Sequence, residues 1–249
     1  MRPANNNDRN LNIKINNEYL AEQENLCFLG ILFDNKFDFK PQFKKIYAKV
    51  KKGFGALILA KNFLDFRCKT LIYHSLIHSH LSYGALIWLP NIRAKELKSL
   101  VTLQKKCIRI LFNSKYNSHT GKLFQLSGIT KVENIIKREA AILCYKLRNN
   151  ELPKAVKDLF ENYSNSSARQ TRHTDHTVFE ISNKSKPHRI MFKIMDAWNN
   201  LDVSIKSCSS LNLFRKKIRA EMNDFEECNK QQCRSCNFST GKAIRAMRL

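Results

Sequence analysis

The sequence predicts a mainly α protein: a short N-terminal β-hairpin, then a helical bundle, then a C-terminal helical segment. Three observations carry this. Leu11–Asn16 alternates apolar and polar residues and Leu26–Phe33 is almost wholly apolar, as strands are. From Phe43 the apolar period changes to that of a helix and stays there for most of the chain. At 249 residues the chain is long enough for one large domain or two small ones, and 43% hydrophobic content can support a core.

The elements follow in order. Asn17 offers a turn after LNIKIN (Leu11–Asn16), so this strand and Leu26–Phe33 are expected to pair as one hairpin, marginal unless something packs on it. The first helix places Phe43, Ile46, Tyr47, Val50, Phe54, Leu57 and Ile58 on one face, with Pro41 in its first turn. Gly53 and Gly55 weaken it locally. A second helix is expected from Asp65 to Trp88, stopped by Pro90. A third, Ala94–Phe112, buries Leu97, Leu100, Val101, Gln104, Cys107, Ile108 and Leu111. TKVE (Thr130–Glu133) reads as a capping box opening a fourth helix, and Pro153 starts a short fifth. Asn162–Lys186 is polar and aperiodic, a linker or long loop. Helical pattern returns at Pro187–Leu201 and Leu211–Phe225. The division expected is a hairpin over 1–37, a helical domain over 38–161, the linker over 162–186, a helical segment over 187–227 and a basic cysteine-containing tail over 228–249.

Charge is the strongest functional signal. The chain carries 44 Lys and Arg against 21 Asp and Glu, a formal +23. Between Phe39 and Val132 there are 18 basic residues and two acids, Asp65 and Glu96. Such a field favours a polyanion, either nucleic acid or an anionic membrane face; the plain alternative is a well-solvated basic surface. No apolar run approaches the roughly 18 residues of a membrane span. The opening MRPANNNDRN has no apolar core of a secretory signal. Eight cysteines without such a signal suggest an intracellular setting, nucleus or cytoplasm, in which most are expected to be buried thiols.

The candidate contacts to phosphate are Lys44, Lys45, Lys49, Lys51 and Lys52 on the outer face of the first helix, and Lys98, Lys105, Lys106 and Arg109 on the third. Tyr47, Tyr83 and Trp88 sit at core-compatible positions and read as packing. Asp34 and Asp38 read as turn and cap residues, and no Asp-Asp pair exists to hold two metal ions. His74 and His78 sit at i, i+4 on a helix with His80 nearby, a spacing that can hold a metal, but no carboxylate accompanies them and core or nucleic-acid contacts are the alternative; His173 and His176 lie in the polar loop. Cys228, Cys233 and Cys236 form C-x4-C-x2-C in the tail. They offer three of the four ligands of a structural zinc site, with a basic flank that suits a nucleic-acid-binding knuckle; free thiols are the alternative.

Four stretches carry a family resemblance. FLGILFD (Phe28–Asp34) followed by FKPQFKKI (Phe39–Ile46), LIYHSLIHSHLSYGALIW (Leu71–Trp88), LQKKCIRILFNSKYNSHTGKLFQLSGI (Leu103–Ile129) and AWNNLDVSIKSCSSLNLFRKKI (Ala197–Ile218) occur in that order. Together they resemble the region after the catalytic palm in reverse transcriptases of non-LTR (LINE-type, jockey-like) retrotransposons. The resemblance implies that the hairpin is a remnant of the palm sheet and that the helices form a thumb. That thumb would grip RNA or an RNA–DNA duplex, not a membrane, during RNA-directed DNA synthesis. The Tyr-x-Asp-Asp motif and its Mg would belong to a palm upstream of the first strand or on a partner chain. Ser79 and Asp202 replace prolines usual in the family, so a straighter second helix and a less fixed turn after Leu201 are expected. Two rival readings are a free-standing basic helical nucleic-acid-binding module and a non-functional relic of a mobile element.

Lacking the catalytic carboxylates, the chain alone is expected to give no primer extension on any template with any divalent metal. Incorporation by purified protein, with blank contaminant controls, would overturn the reading.

Overall fold

The computed structural model describes residues 13–19, 23–164 and 189–222. Most of the expected linker, His173, His176 and the tail with Cys228, Cys233 and Cys236 lie outside them. The described residues are mainly helical, preceded by short antiparallel hairpins.

The N-terminal strands pair differently from expectation. β1 (Lys14–Ile15) pairs with β2 (Glu18–Tyr19), and β3 (Asn25–Phe28) pairs with β4 (Ile31–Asp34). The apolar run Leu26–Phe33 is therefore two strands joined by a tight turn, not one strand. Leu29 and Gly30 both take positive φ, 47° and 80°, the geometry of a two-residue hairpin turn. β3 is exposed throughout, whereas Ile31 and Asp34 of β4 are buried against α1 (Lys40–Ala60). Three bonds fasten this hairpin to the helices. Tyr83 Oη donates to Leu29 O (2.6 Å), Lys45 Nζ donates to Gly30 O (2.9 Å), and Leu32 N donates to Gln42 Oε1 (3.0 Å). Asp34 accepts from Phe39 N (2.8 Å) and Asp38 from Lys40 N (3.1 Å), the turn role expected of them, but the N-cap of α1 is Phe39, without a side-chain cap bond.

The second helix is not continuous. Asp65 caps α2 (Phe66–Tyr73), accepting from Cys68 N at 2.8 Å. A π-helical turn (His74–His78) follows, then α3 (Ser79–Ser82), and after a break at Tyr83–Gly84, α4 (Ala85–Trp88). The helical run passes through Ser79, where the family has proline, and breaks only at Tyr83–Gly84. Ser75, Ser79 and Ser82 each donate their hydroxyl to the carbonyl four residues back, a bond that competes with the ladder and bends helices. Gly84 ends the run because its φ of 58° and the Ile31 side chain, 2.4 Å from where a Cβ would lie, together exclude any larger residue.

α5 (Ala94–Leu111) buries Leu100, Leu103, Gln104, Cys107, Ile108 and Leu111, with Leu97 and Val101 half-buried. α6 (Gly121–Ser127) leads to α7 (Val132–Arg148). The expected capping box at Thr130–Glu133 does not form: Lys131 is the N-cap and makes no side-chain cap bond. Gln104 of α5 does that work instead, its Oε1 accepting from Val132 N at 2.9 Å.

α7 belongs to two cores. Its first turns (Val132, Ile135) close the core built by α1 to α6, whereas Ala140, Ala141, Cys144 and Tyr145 face a second one. α8 (Lys154–Ser164), α9 (Arg189–Asn199), α10 (Val203–Lys206) and α11 (Leu211–Met222) supply the rest, around Trp198 and Phe214. The turn after Leu201 is fixed despite the missing proline, because Asp202 caps α10 by accepting from Ser204 N at 2.7 Å.

The two glycines of α1 are not equivalent. A Cβ on Gly53 would lie 2.8 Å from both Ile77 Cγ1 and Leu76 O, while one on Gly55 would meet nothing within 4 Å. Gly53→Ala is expected to destabilise by about 1–3 kcal/mol through overpacking, and Gly55→Ala to stabilise by about 0.5–1 kcal/mol. Urea unfolding of the two variants checks both signs.

Candidate nucleic-acid interface

Two long helices set the outer surface. α1 and α5 pack on each other and turn Ile46, Val50 and Leu57, and Leu100, Cys107 and Leu111, inward. The opposite face of each is cationic. Lys44, Lys49, Lys51 and Lys52 of α1 and Lys98 and Lys105 of α5 are exposed. Three carboxylates lie nearby: Asp38, at the start of α1, pairs with Lys40 (2.7 Å) and approaches Arg93 (3.9 Å). Asp65 is consumed as the cap of α2, and Glu96 accepts from Arg93 N (3.0 Å) in the first turn of α5.

The remaining candidates have structural work. Lys45 is tied to the hairpin turn through Gly30 O. Arg109 is half-buried, its Nε donating to Ser118 O (2.8 Å), and burial lowers its pKa. Lys106 is half-buried and holds its ammonium 5.9 Å from the centre of the Tyr116 ring. These three brace loops as much as they project charge.

The aromatic expectations divide. Trp88 is fully buried and donates Nε1–H to Tyr83 O (3.0 Å), and Tyr47 is half-buried, stacked on Phe43. Tyr83 is 55% exposed and serves as the strut of the β3–β4 turn, so it is not a core residue. The cysteines divide too. Cys107 and Cys144 are buried, and burial pushes both thiols up, Cys107 to about 12. Cys27 and Cys68 are exposed, contrary to expectation, because β3 faces outward and Cys68 lies in the first turn of α2.

The histidines sit at the π turn. The rings of His74 and His78 lie edge to face, 5.3 Å between centroids. His78 Nδ1 is buried without a hydrogen-bond partner. Burial first, then the charges of Arg138, His74 and Arg219, hold its pKa down at about 4. His74 is lowered by burial and by Arg219 and Arg138, and His80 by burial and Lys49. Among the described residues no group of three or more His, Cys, Asp or Glu is arranged to hold a metal.

These neighbours reveal what the sequence reading left out. Lys49 of α1 lies close enough to affect His80, while Arg138 of α7 and Arg219 of α11 affect His74. Cations of α1, α7 and α11 thus flank the π turn, and Arg215, Lys216 and Arg219 of α11 are exposed. The signal was present: Phe214 and Ile218 mark the buried face, Arg215 and Lys216 fall between them and Arg219 directly follows. By contrast, a cavity of ≈ 790 Å³ between α7, α9 and α11 mixes Lys131, Lys137 and Lys193 with Glu133, Asp196 and Glu221, a poor match for a polyanion.

No family model, curated protein or solved structure matches the chain. Among the described residues, no helix is long and apolar enough to cross a membrane.

The His78 geometry fixes a pH dependence. Unfolding releases an imidazole whose ordinary pKa is 6.5 from a fold that holds it at about 4, so the unfolded chain binds the proton first. The stability contributed by the neutral ring is full above about pH 6.5 and is lost as pH falls toward 4. Between pH 7 and 4, wild type is expected to lose roughly 2–3 kcal/mol more than His78→Gln. Urea unfolding across that range tests this, and parallel pH profiles would overturn it.

Proposed function

We propose that the chain is a nucleic-acid-gripping helical module, the thumb-like part of a reverse transcriptase of the non-LTR retrotransposon kind. Its ligand is RNA or an RNA–DNA duplex. Polymerase chemistry falls to a palm, on the same polypeptide or a partner's, that supplies the catalytic carboxylates and Mg. One observation carries the reading. The outer faces of two packed helices present Lys44, Lys49, Lys51, Lys52, Lys98 and Lys105 with no acid among them. Cations on rigid helices suit phosphates, whose spacing is regular and whose recognition needs no base-reading geometry.

The hairpin bears on how the module works. β3 exposes Leu26 and Phe28 with Leu29 in the adjoining turn, and no strand pairs with its outer edge among the described residues. That supports strands of a palm adding there. The three bonds that hold the hairpin to α1 and Tyr83 support the second reading, a free-standing nucleic-acid-binding module, since the hairpin has its own cover.

Both readings require duplex binding with little sequence preference and steep salt dependence. If about 5 to 8 phosphates are contacted, log K is expected to fall against log salt with a slope of roughly −4 to −7. Replacing Lys44, Lys49, Lys52, Lys98 and Lys105 with Ala flattens that slope. An unchanged slope would move the binding surface to α11 or to the residues after it.

A further inference from the structure

The loop after α5 presents an aromatic ring that neither core uses. Tyr116 is 78% exposed. A single exposed ring is common by itself; this one stands on a braced loop beside a cation. The bracing comes from both sides. Ser114 N donates to Arg109 O (2.8 Å), and Lys69, itself fully buried, donates Nζ–H to Asn113 Oδ1 (3.1 Å). Beyond the ring, Arg109 Nε holds Ser118 O (2.8 Å), and the Ser118 and Thr120 side chains are buried. Lys106 stands 5.9 Å from the ring centre.

The charge around the ring selects the partner. No acidic residue occurs between Leu97 and Val132. Lys98 and Lys105, two turns apart on one stripe of α5, lead toward the end where the loop begins. An aromatic face set at the end of a cationic track is the arrangement that holds unpaired bases, because every base has a π face while the lysines follow the backbone. We propose that Tyr116 is a stacking platform for an unpaired nucleotide, so that the module takes a duplex with a single-stranded extension in preference to a blunt one. This rests on the nucleic-acid function proposed above and assigns the strand-end chemistry of that surface.

The test compares a fluorophore-labelled blunt RNA–DNA duplex with the same duplex carrying a short single-stranded extension, in an anisotropy titration. A second probe carries 2-aminopurine in the extension. The extension is expected to tighten binding by about tenfold. Tyr116→Ala loses that gain, Tyr116→Phe keeps it, and both leave affinity and salt slope on the blunt duplex unchanged. Quenching of 2-aminopurine accompanies wild type and Tyr116→Phe but not Tyr116→Ala. Equal affinity of wild type for the two duplexes, with blunt binding intact, overturns the stacking platform and leaves the proposed function standing. Tyr116→Ala weakening both duplexes alike assigns the residue to the loop or to phosphate contact and overturns it as well. Tyr116-dependent binding to phosphatidylserine vesicles with no preference for the extended duplex makes the ring a membrane contact instead. Failure of wild type to bind either duplex removes the function and this inference together.

Discussion

The buried amide of Gln104 is the contact on which the arrangement of this protein depends. Its Nε2 donates to Tyr73 Oη (2.8 Å) and Thr130 O (3.0 Å), and its Oε1 accepts from Val132 N (2.9 Å). One side chain thus joins α5 to α2 and to the start of α7. With Gln104 itself 1% exposed, water has little access to replace the amide. Each buried group stripped of its partner costs about 1–3 kcal/mol. Among the described residues, α7 is the only helix contributing buried residues to both cores, so the bond at its first turn bears on where α9 and α11 stand relative to α1 and α5.

A second constraint shapes the outer surface. The π turn sits directly on Gly53, close enough that no Cβ fits between α1 and Leu76–Ile77. The approach brings His74, His78 and His80 between the lysines of α1 and the arginines of α7 and α11. There burial and like charge both lower their pKa values. The same cationic surroundings that suit a polyanion disfavour a metal at these histidines.

Much of the fold was legible in the sequence because its signals were local. The first and third helices appear close to their expected limits, as period and flanking turns are properties of consecutive residues. Asp65 stands at the expected start of the second helix, as its cap, and Asp34 and Asp38 bond backbone N–H groups of the turn before α1. Misreadings arose where a distant residue competed with a local signal. TKVE has the letters of a capping box, yet Gln104 reaches the α7 N-terminus from another helix. Leu26–Phe33 has the composition of one strand, but the hairpin turn at Leu29–Gly30 is stabilised by Tyr83, more than fifty residues away in sequence. Arg109 and Lys45 look like their exposed neighbours on a helical wheel, and only the loops folded over them distinguish anchors from free cations.

The sequence by itself determined the helical class, the succession of amphipathic segments and a cationic excess concentrated in an acid-poor stretch. Composition and period are fixed before folding, and no packing alters them. Tertiary structure decided which of those cations remain exposed, that cations of α1, α7 and α11 flank the π turn, and that Tyr116, unlike Trp88 or the strut Tyr83, is left open on a braced loop. Those outcomes depend on contacts between residues far apart in the chain. Whether a side chain is consumed or presented follows from what folds against it, which no local pattern encodes.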